Sequence, residues 1–280
     1  MLIDTHAHLN FSDFKDDYPE VIKRAQEKNV VMINVGSQLS TSERAVNIAE
    51  QFEKTYAAVG LHPIQLEDFE VKEEGVSFRS RAEVFHRETY ELLAAKKKVV
   101  AIGECGLDYY HISQERDIFD VKEKQKETLQ QQINLANKFD LPLILHCRGS
   151  KDNPKDAYLD LLDEIKKNLP KKRGVLHCFG SDYEIAKQFL ELGFYLGFTG
   201  VITFDKTGQS QNVISQMPPE RILSETDCPY LTPEPYRGKR NEPVNVEYVI
   251  RKIAEIRQLP YEKAVNLTAS NAKALFNLAI

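Results

Sequence analysis

Residues 143–148 read LILHCR, and residues 174–179 read GVLHCF. Each begins with a short, continuously apolar run that ends on a histidine, and similar runs recur along the chain. Runs without alternating polar residues are typical of parallel strands buried on both faces. The pattern predicts eight such strands: Leu2–Asp4, Val30–Val35, Tyr56–Leu61, Val99–Ile102, Leu143–His146, Gly174–His177, Gly193–Phe198 and Arg221–Ser224.

Amphipathic helices are predicted between these strands. Leu129, Ile133, Ala136 and Phe139 share one side of a helix, and Ser40-x-x-Glu43 and Ser181-x-x-Glu184 resemble capping boxes. Eight strands in 280 residues leave about 35 residues per unit, which favours an α/β fold of the (β/α)₈ TIM-barrel type. A doubly wound open sheet is the alternative, but no G-x-G-x-x-G follows the first strand. We expect a single domain over residues 1–280.

The composition narrows the class of protein. The chain has 42 acidic and 37 basic residues, a net charge of −5, which argues against a DNA binder steered by long-range charge. No apolar stretch approaches the roughly 20 residues that span a bilayer, and MLIDTHAHLN lacks the features of a signal peptide. The four cysteines are too few for a disulfide framework. We therefore expect a cytoplasmic protein without a membrane segment or an obligate protein partner.

One polar segment exceeds the length of an ordinary βα connection. Residues Glu67–Arg87 are charged and follow the third predicted strand. We expect a surface elaboration there, helical near its end.

In a (β/α)₈ barrel the reactive residues lie at the carboxyl ends of the strands. Five of the seven histidines and two carboxylates occupy these ends: His6, His8, His62, Glu104, His146, His177 and Asp227. So many ligand-type side chains at one rim predict a metal site. His6 and His8 alternate in an extended segment and therefore face the same side. The cysteines directly after Glu104, His146, His177 and Asp227 face the opposite way, so we expect buried thiols rather than ligands.

The charge of this set favours two metal ions and an anionic substrate. Four neutral histidines and two carboxylates supply −2, and two divalent ions supply +4. Imidazole and carboxylate suit Zn²⁺ or Mn²⁺, with Mg²⁺ as a further choice. Such a pair of ions can assist an in-line displacement at an ester. Glu104 is the expected bridge between the ions, and Asp227 is the expected general base.

A basic segment follows the last strand. Arg237, Lys239 and Arg240 lie within four positions and suit phosphate contacts, and Arg148 and Lys206 extend this rim. The alternative is a solvated charge run before the next helix. Four aromatic residues near the same rim either stack on bases or pack the rim: Tyr109, Tyr110, Phe179 and Tyr230.

These motifs together resemble the TatD family of metal-dependent deoxyribonucleases. The matching segments run from one end of the chain to the other: DTHAHLN (4–10), GLHP (60–63), GECGLDYY (103–110), ILHCR (144–148), LHCF (176–179), ETDCPYLTPEPYRGKRNEP (225–243) and SNAKALF (270–276). The resemblance implies an amidohydrolase-type TIM barrel, a two-metal site and phosphodiester hydrolysis on DNA, in some members 3′–5′ exonucleolytic. RNA is a second expected substrate class.

The resemblance also assigns residues to roles. It implies that His6, His8, Glu104 and Asp227 bind one metal and that Glu104, His146 and His177 bind the second. It places His62 near the substrate phosphate and Arg237 and Asn241 beside the site. Two other functions compete with the nuclease: a small-molecule hydrolase acting on an amide, lactone or phosphoester, and a binding protein that has lost turnover. The basic rim disfavours the first of these, and the complete ligand set disfavours the second.

Overall fold

The computed structural model describes residues 1–73, 76–113 and 116–280. Its strands are β1 Leu2–Ala7, β2 Val30–Val35, β3 Thr55–Val59, β4 Phe69–Glu73, β5 Val76–Ser80, β6 Val99–Asp108, β7 Leu143–Arg148, β8 Gly174–Leu176, β9 Tyr195–Phe198 and β10 Ile222–Ser224. Its helices are α1 Tyr18–Glu27, α2 Leu39–Gln51, α3 Arg87–Ala94, α4 Ile118–Phe139, α5 Asp156–Lys167, α6 Tyr183–Glu191, α7 Gln209–Gln216, α8 Val246–Arg257 and α9 Tyr261–Phe276.

Eight parallel strands form the barrel in the order β1-β2-β3-β6-β7-β8-β9-β10. The segment after β10 returns to β1, where Ala7 and Cys228 form a parallel bridge and the amide of Asp227 donates to the carbonyl of His6 at 2.8 Å. The predicted (β/α)₈ fold is therefore confirmed, with the helices between the strands. The single domain stays a prediction.

Apolar side chains fill the barrel and the layer around it. Inside, Ile3, Ile33 and Leu223 share one buried cluster with Leu275 and Phe276 of α9. This shared cluster places α9 against the barrel interior, and the last two residues of the helix, Leu275 and Phe276, pack among strand residues. A second cluster fills the space between the strands and the outer helices, as the apolar runs require.

Two helix starts differ from the sequence prediction. α2 begins after Gln38, which forms a capping box with Thr41, and α6 begins after Asp182, whose side chain accepts from the amide of Ile185 at 3.1 Å. The predicted capping boxes at Ser40 and Ser181 were therefore wrong by one or two positions. Within the described residues, no helix is both long enough and apolar enough to cross a membrane.

The segment Glu67–Arg87 has a different structure from the predicted one. β4 and β5 pair antiparallel as a small separate sheet, and the following helix, α3, begins only at Arg87. Residues 74 and 75 of this segment lie outside the described residues. Buried Ser80 fixes the base of the hairpin, because its hydroxyl lies 2.7 Å from the carbonyl of Ile64.

Candidate metal centre

Five barrel strands deliver the predicted ligands to one end of the barrel. The side chains come from the strands or from the residues directly after them: His6 and His8 from β1, Glu104 from β6, His146 from β7, His177 from β8 and Asp227 from β10. They lie in the carboxyl-terminal half of their strands or within three residues after the strand end, so that they face the same end of the barrel.

His6, His8 and Asp227 form the first group. The Nε2 atoms of His6 and His8 lie 3.0 Å apart, and Oδ1 of Asp227 is 3.7 Å from the former and 3.2 Å from the latter. Asp227 adopts a left-handed backbone, with φ of 56°, which non-glycine residues rarely adopt. The hydrogen bond from its backbone amide to the carbonyl of His6 ties this conformation to β1.

Glu104 links the first group to a second one. Its Oε2 lies 3.5 Å from Nε2 of His6, whereas its Oε1 lies 3.2 Å from Nδ1 of His146 and 3.5 Å from Nε2 of His62. The two oxygens of one buried carboxylate thus face different sets of imidazoles.

His177 completes the arrangement. Its ring stacks on that of His6 with centroids 3.5 Å apart, and its Nε2 lies 3.6 Å from Oδ1 of Asp227. Donor atoms of His6, His177 and Glu225 also lie within 4.8 Å of one another.

Three of the ring ligands are oriented from behind. Nδ1 of His8 lies 2.8 Å from the carbonyl of Val35, Nδ1 of His177 lies 2.8 Å from Oε2 of Glu225, and Nε2 of His146 lies 2.9 Å from Oδ2 of Asp108. Such outer contacts fix the tautomer and the ring orientation of a metal-binding histidine. His6 differs, because its buried Nδ1 has no hydrogen-bond partner among the described residues.

The carboxylates are ionised at neutral pH. Burial alone would raise the pKa of Glu104, but electrostatic attraction to the rings of His62 and His6 and hydrogen bonds from His146 and His6 outweigh it and hold the pKa well below its usual value. Burial is likewise outweighed at Asp227, whose pKa is lowered by the charge of His177 and by hydrogen bonds from His177 and His8.

The histidines divide into two classes. Burial, together with neighbouring imidazoles, lowers the pKa of His6 and of His62. Burial also opposes the charged form of His146, but hydrogen bonds to Asp108 and Glu104 outweigh it and raise its pKa to about 9. At His177, Glu225 and Asp227 overcome burial and raise the pKa well above its usual value. A divalent cation would replace the protons on these two rings, because imidazole binds metal in its deprotonated form.

The residues fit divalent cations. The donor atoms are imidazole nitrogens and carboxylate oxygens, and two Nε2 atoms face each other at 3.0 Å, where both cannot carry a proton. This donor set suits Zn²⁺ and Mn²⁺.

The comparisons with known proteins agree with this geometry. A family model described as TatD related DNase matches residues 3–277. The chain belongs to this family. It is 39% identical over 280 residues to an uncharacterized metal-dependent hydrolase of Bacillus subtilis, YabD, covering 99% of this chain and 100% of that protein.

Solved structures of TatD proteins show the same fold. The TatD homologue YjjV of Escherichia coli superimposes with a TM-score of 0.82 at 29% identity, covering 99% of this chain and 98% of that one. A TatD-family hydrolase of Entamoeba histolytica gives a TM-score of 0.77 at 27% identity, covering 98% and 97%. This TatD-family chain is therefore placed among the metal-dependent hydrolases.

A buried aspartate supports the first metal-binding group from below. Asp4 of this TatD-family chain accepts from the amide of Thr226 at 2.8 Å and from its hydroxyl at 2.5 Å. Burial raises the pKa of Asp4 to about 8, against the lowering effect of the hydrogen bonds from Thr226. The pair joins β1 to the segment after β10 and so fixes the distance between His6 and Asp227.

The predicted substrate-binding residues lie in different surroundings. Arg148 is half-buried with its guanidinium 3.7 Å from the Tyr110 ring, whereas Arg237 is exposed and stacks at 3.8 Å on Phe204. Asn241 is fully buried, and its amide donates to the carbonyls of Thr226 and Tyr230. Its expected contact with substrate therefore remains a prediction, while its observed contacts hold the loop after β10.

Two other cations of the basic segment differ in role. Arg240 pairs with Asp17 and donates to the carbonyl of Asp13, so that its charge is countered by an ion pair within the protein. The ammonium of Lys239 lies 5.4 Å from the centre of the Tyr236 ring. Of this pair, Lys239 is the better candidate for a phosphate contact.

The rim aromatics also divide. Tyr109 is buried and donates to Asp160 at 2.7 Å, and Phe179 packs against Tyr158, so that these two are rim packing. Tyr110 and Tyr230 are only half-buried. No disulfide forms among the four cysteines, and burial raises the pKa of every one of these thiols.

Sequence reasoning missed Asp108 and Glu225, the carboxylates that orient His146 and His177. Asp108 lies four residues after Glu104, and period-two spacing would have indicated it if β6 had been predicted to extend to Asp108. Glu225 lies two residues before Asp227, but both follow the end of β10 and Asp227 has a left-handed backbone, so strand periodicity does not relate them.

Proposed function

We propose that this protein is a metal-dependent deoxyribonuclease that hydrolyses phosphodiester bonds of DNA with two divalent cations. Exonucleolytic 3′–5′ digestion of single strands is the expected mode, and RNA is a further substrate to test. The convergence of His6, His8, Glu104, His146, His177 and Asp227 at one end of the barrel carries the proposal. Membership of the TatD-related DNase family supports it.

We assign His6, His8, Glu104 and Asp227 to one ion and Glu104, His146 and His177 to the other. The bridging role of Glu104 is supported by its two oxygens, of which Oε2 faces His6 and Oε1 faces His146. The carboxylates behind His146 and His177 support their roles as metal ligands, because metal-binding histidines commonly donate their second N–H to such a group.

Two bound divalent cations would stabilise the charge that develops on the scissile phosphate and ease deprotonation of the attacking water. Asp227 would orient this water and accept its proton. Its lowered pKa keeps the carboxylate ionised at neutral pH. The hydrogen bond from its backbone amide to the carbonyl of His6 holds the residue in place.

His62 would bind a phosphate oxygen as a neutral donor. The amide of Ile64 donates to its Nδ1 at 3.1 Å, which leaves the proton on Nε2, the atom that faces Glu104. The lowered pKa keeps this ring neutral. A ring that presents N–H toward the site suits substrate binding better than metal binding.

Arg148 and Arg237 would contact the DNA backbone. Each guanidinium stacks on an aromatic ring, which orients the cation. With a net charge of −5 on the chain, such local cations must supply the attraction for DNA. We also propose that the protein acts in the cytoplasm. Its four free cysteines fit a reducing compartment.

The test uses a single-stranded oligodeoxynucleotide labelled at either end, incubated with purified protein and Mn²⁺, Mg²⁺ or Zn²⁺. We expect degradation with at least one ion and none after chelation, and the position of the label gives the direction. Ribonucleotide strands, small esters and amides are assayed in parallel. Turnover of a small ester or amide without DNA degradation would replace this proposal with the small-molecule hydrolase.

A second readout reports on the ions without requiring activity. An ion at 100 times its Kd stabilises a protein by about 2.7 kcal/mol, which corresponds to a rise in Tm of about 5 °C or more for a chain of this size. Thermal unfolding with and without chelator measures it. No shift with any of the three ions would contradict the metal centre.

A further inference from the structure

A cavity of about 130 Å³ lies beside the metal centre. It is formed where the loop after β6 and the start of α4 face the base of the β4–β5 hairpin, and its lining includes Ile64, Phe69, Asp108, His111, Ile112 and Val121. Pockets for drug-sized ligands measure roughly 300–1,000 Å³, so this cavity has room for one ring system rather than a whole nucleotide. We propose that it receives one nucleobase of the DNA substrate between the rings of Phe69 and His111, an inference that rests on the proposed nuclease function.

The spacing of the two rings suits an inserted base. Their centroids lie 6.4 Å apart, and their planes are inclined by 33°. Stacked bases in a nucleic-acid strand are roughly 3.4 Å apart, so a base between two rings needs about twice that distance. The observed separation is close to this requirement, and a modest rotation of the Phe69 ring would bring the two planes parallel.

The His111 ring and the backbone of Phe69 are held in place before any base arrives. The amide of His111 donates to Oδ1 of Asp108 at 3.0 Å, and its Nδ1 donates to Oδ2 of the same carboxylate at 2.9 Å. Phe69 pairs with Ser80 at the base of the hairpin, and the Ser80 hydroxyl is bound to the carbonyl of Ile64. A ring held as that of His111 is loses little conformational entropy when a base stacks on it.

Asp108 connects this cavity directly to the metal centre. The same Oδ2 atom that accepts from His111 also accepts from Nε2 of His146 at 2.9 Å. One carboxylate and one imidazole therefore separate the wall of the cavity from Glu104. A base is separated from its phosphate by one sugar, so a nucleotide with its phosphate at the metal centre can place its base here.

The charges around the cavity favour a neutral ring over a phosphate. Glu67 is paired with Lys124 at 2.9 Å, and Asp68 is paired with Arg79 at 3.0 Å. Arg116, the cation in the lining, lies 3.8 Å from Glu67, so its charge is also countered within the protein. The remaining walls include the apolar side chains of Ile64, Ile112 and Val121. A phosphate would lose its hydration against them, whereas an aromatic ring would not.

The chain has no tryptophan, which allows a direct binding test. Phe69→Trp would introduce a single fluorophore at the cavity, and Phe52→Trp, between α2 and β3 at the opposite end of the barrel, is the matched control. Both are titrated with hexathymidylate and with an abasic strand of equal length in the presence of chelator. We expect saturable quenching only for Phe69→Trp with hexathymidylate. Equal quenching by both strands, or none while a labelled strand still binds by anisotropy, would overturn the inference.

A kinetic test separates this inference from the proposed function. Stacking of a base on an aromatic side chain is worth about five- to hundred-fold in affinity. The preference is the ratio of kcat/KM for hexathymidylate to kcat/KM for the abasic strand. Phe69→Ala should reduce this ratio by that factor, and Phe69→Tyr should retain it. If the wild-type protein cleaves neither strand, the nuclease proposal fails. If the wild-type protein cleaves DNA and Phe69→Ala shows the same preference as the wild type, only the base site fails.

Discussion

The substitution Gly197→Ala tests whether Glu225 orients the metal centre. Gly197 lies in β9, and a Cβ atom there would come within 2.1 Å of Oε1, 2.3 Å of Cδ and 2.5 Å of Oε2 of Glu225. An ordinary contact needs at least 3.4 Å, so the carboxylate would have to move by about 1.3 Å. Glu225 is 0% exposed and cannot move into solvent.

This displacement would act on His177. Oε2 of Glu225 accepts from Nδ1 of His177 at 2.8 Å and from the amide of Cys178 at 3.1 Å. Loss of such an orienting carboxylate typically costs 10- to 100-fold in metal affinity or activity. We expect a loss of this size in Gly197→Ala, measured as metal affinity by calorimetry and as kcat/KM on labelled DNA.

Gly180→Ala is the matched control, because a Cβ atom at Gly180 would come no closer than 3.7 Å to its neighbours. It should bind metal as the wild type does. Glu225→Gln removes the charge with nearly unchanged volume and keeps the test valid if Gly197→Ala does not fold. Wild-type metal affinity in both Gly197→Ala and Glu225→Gln would refute the role of Glu225.

Three further predictions concern the base, the rim and a helix start. Asp227→Asn should lower kcat by about 10²- to 10⁴-fold with an unchanged circular dichroism spectrum, and full activity would contradict its role as the base. Arg237→Ala should raise KM and flatten the dependence of KM on salt concentration; an unchanged KM would indicate a solvated surface charge. Asp205 accepts from the hydroxyl and the amide of Thr207 and from the amide of Ser210, and these hydrogen bonds outweigh burial and lower its pKa to about 2. Its stabilisation is therefore full above about pH 4 and is lost as the pH falls through 2, so Asp205→Ala should lower the free energy of unfolding by about 1 kcal/mol at pH 7 and by clearly less at pH 2, as urea titrations will show.

The sequence predicted the barrel because its strands are buried on both faces. A strand such as Val30–Val35 must be apolar throughout, and its observed bounds match the predicted ones. The ligands were predictable for a related reason, since a polar side chain at the end of such a run must face the barrel mouth. The hairpin was not predictable in this way. Phe69–Glu73 pairs only with Val76–Ser80 outside the barrel, so no buried face imposes an apolar pattern on it.

The orienting carboxylates were missed for a different reason. The apolar run of β6 ends at Ile102, but the strand continues to Asp108, because residues 105–108 pair with β7 and the amide of Glu104 donates to the carbonyl of Gly36. If β6 is taken to end at Ile102, the spacing between Glu104 and Asp108 does not indicate that the two side chains face the same side. Whether Arg237 or Asn241 reaches substrate depends on how the loop after β10 folds back, and in the structure Asn241 lies inside this loop.

The seam between β1 and the segment after β10 also has a consequence for biosynthesis. His6 and His8 emerge from the ribosome more than 200 residues before their partner Asp227. A nascent chain therefore holds only part of the ligand set until the last barrel strand has been translated. The proposed hydrolysis would begin only after β10 and the segment that carries Asp227 have left the ribosome.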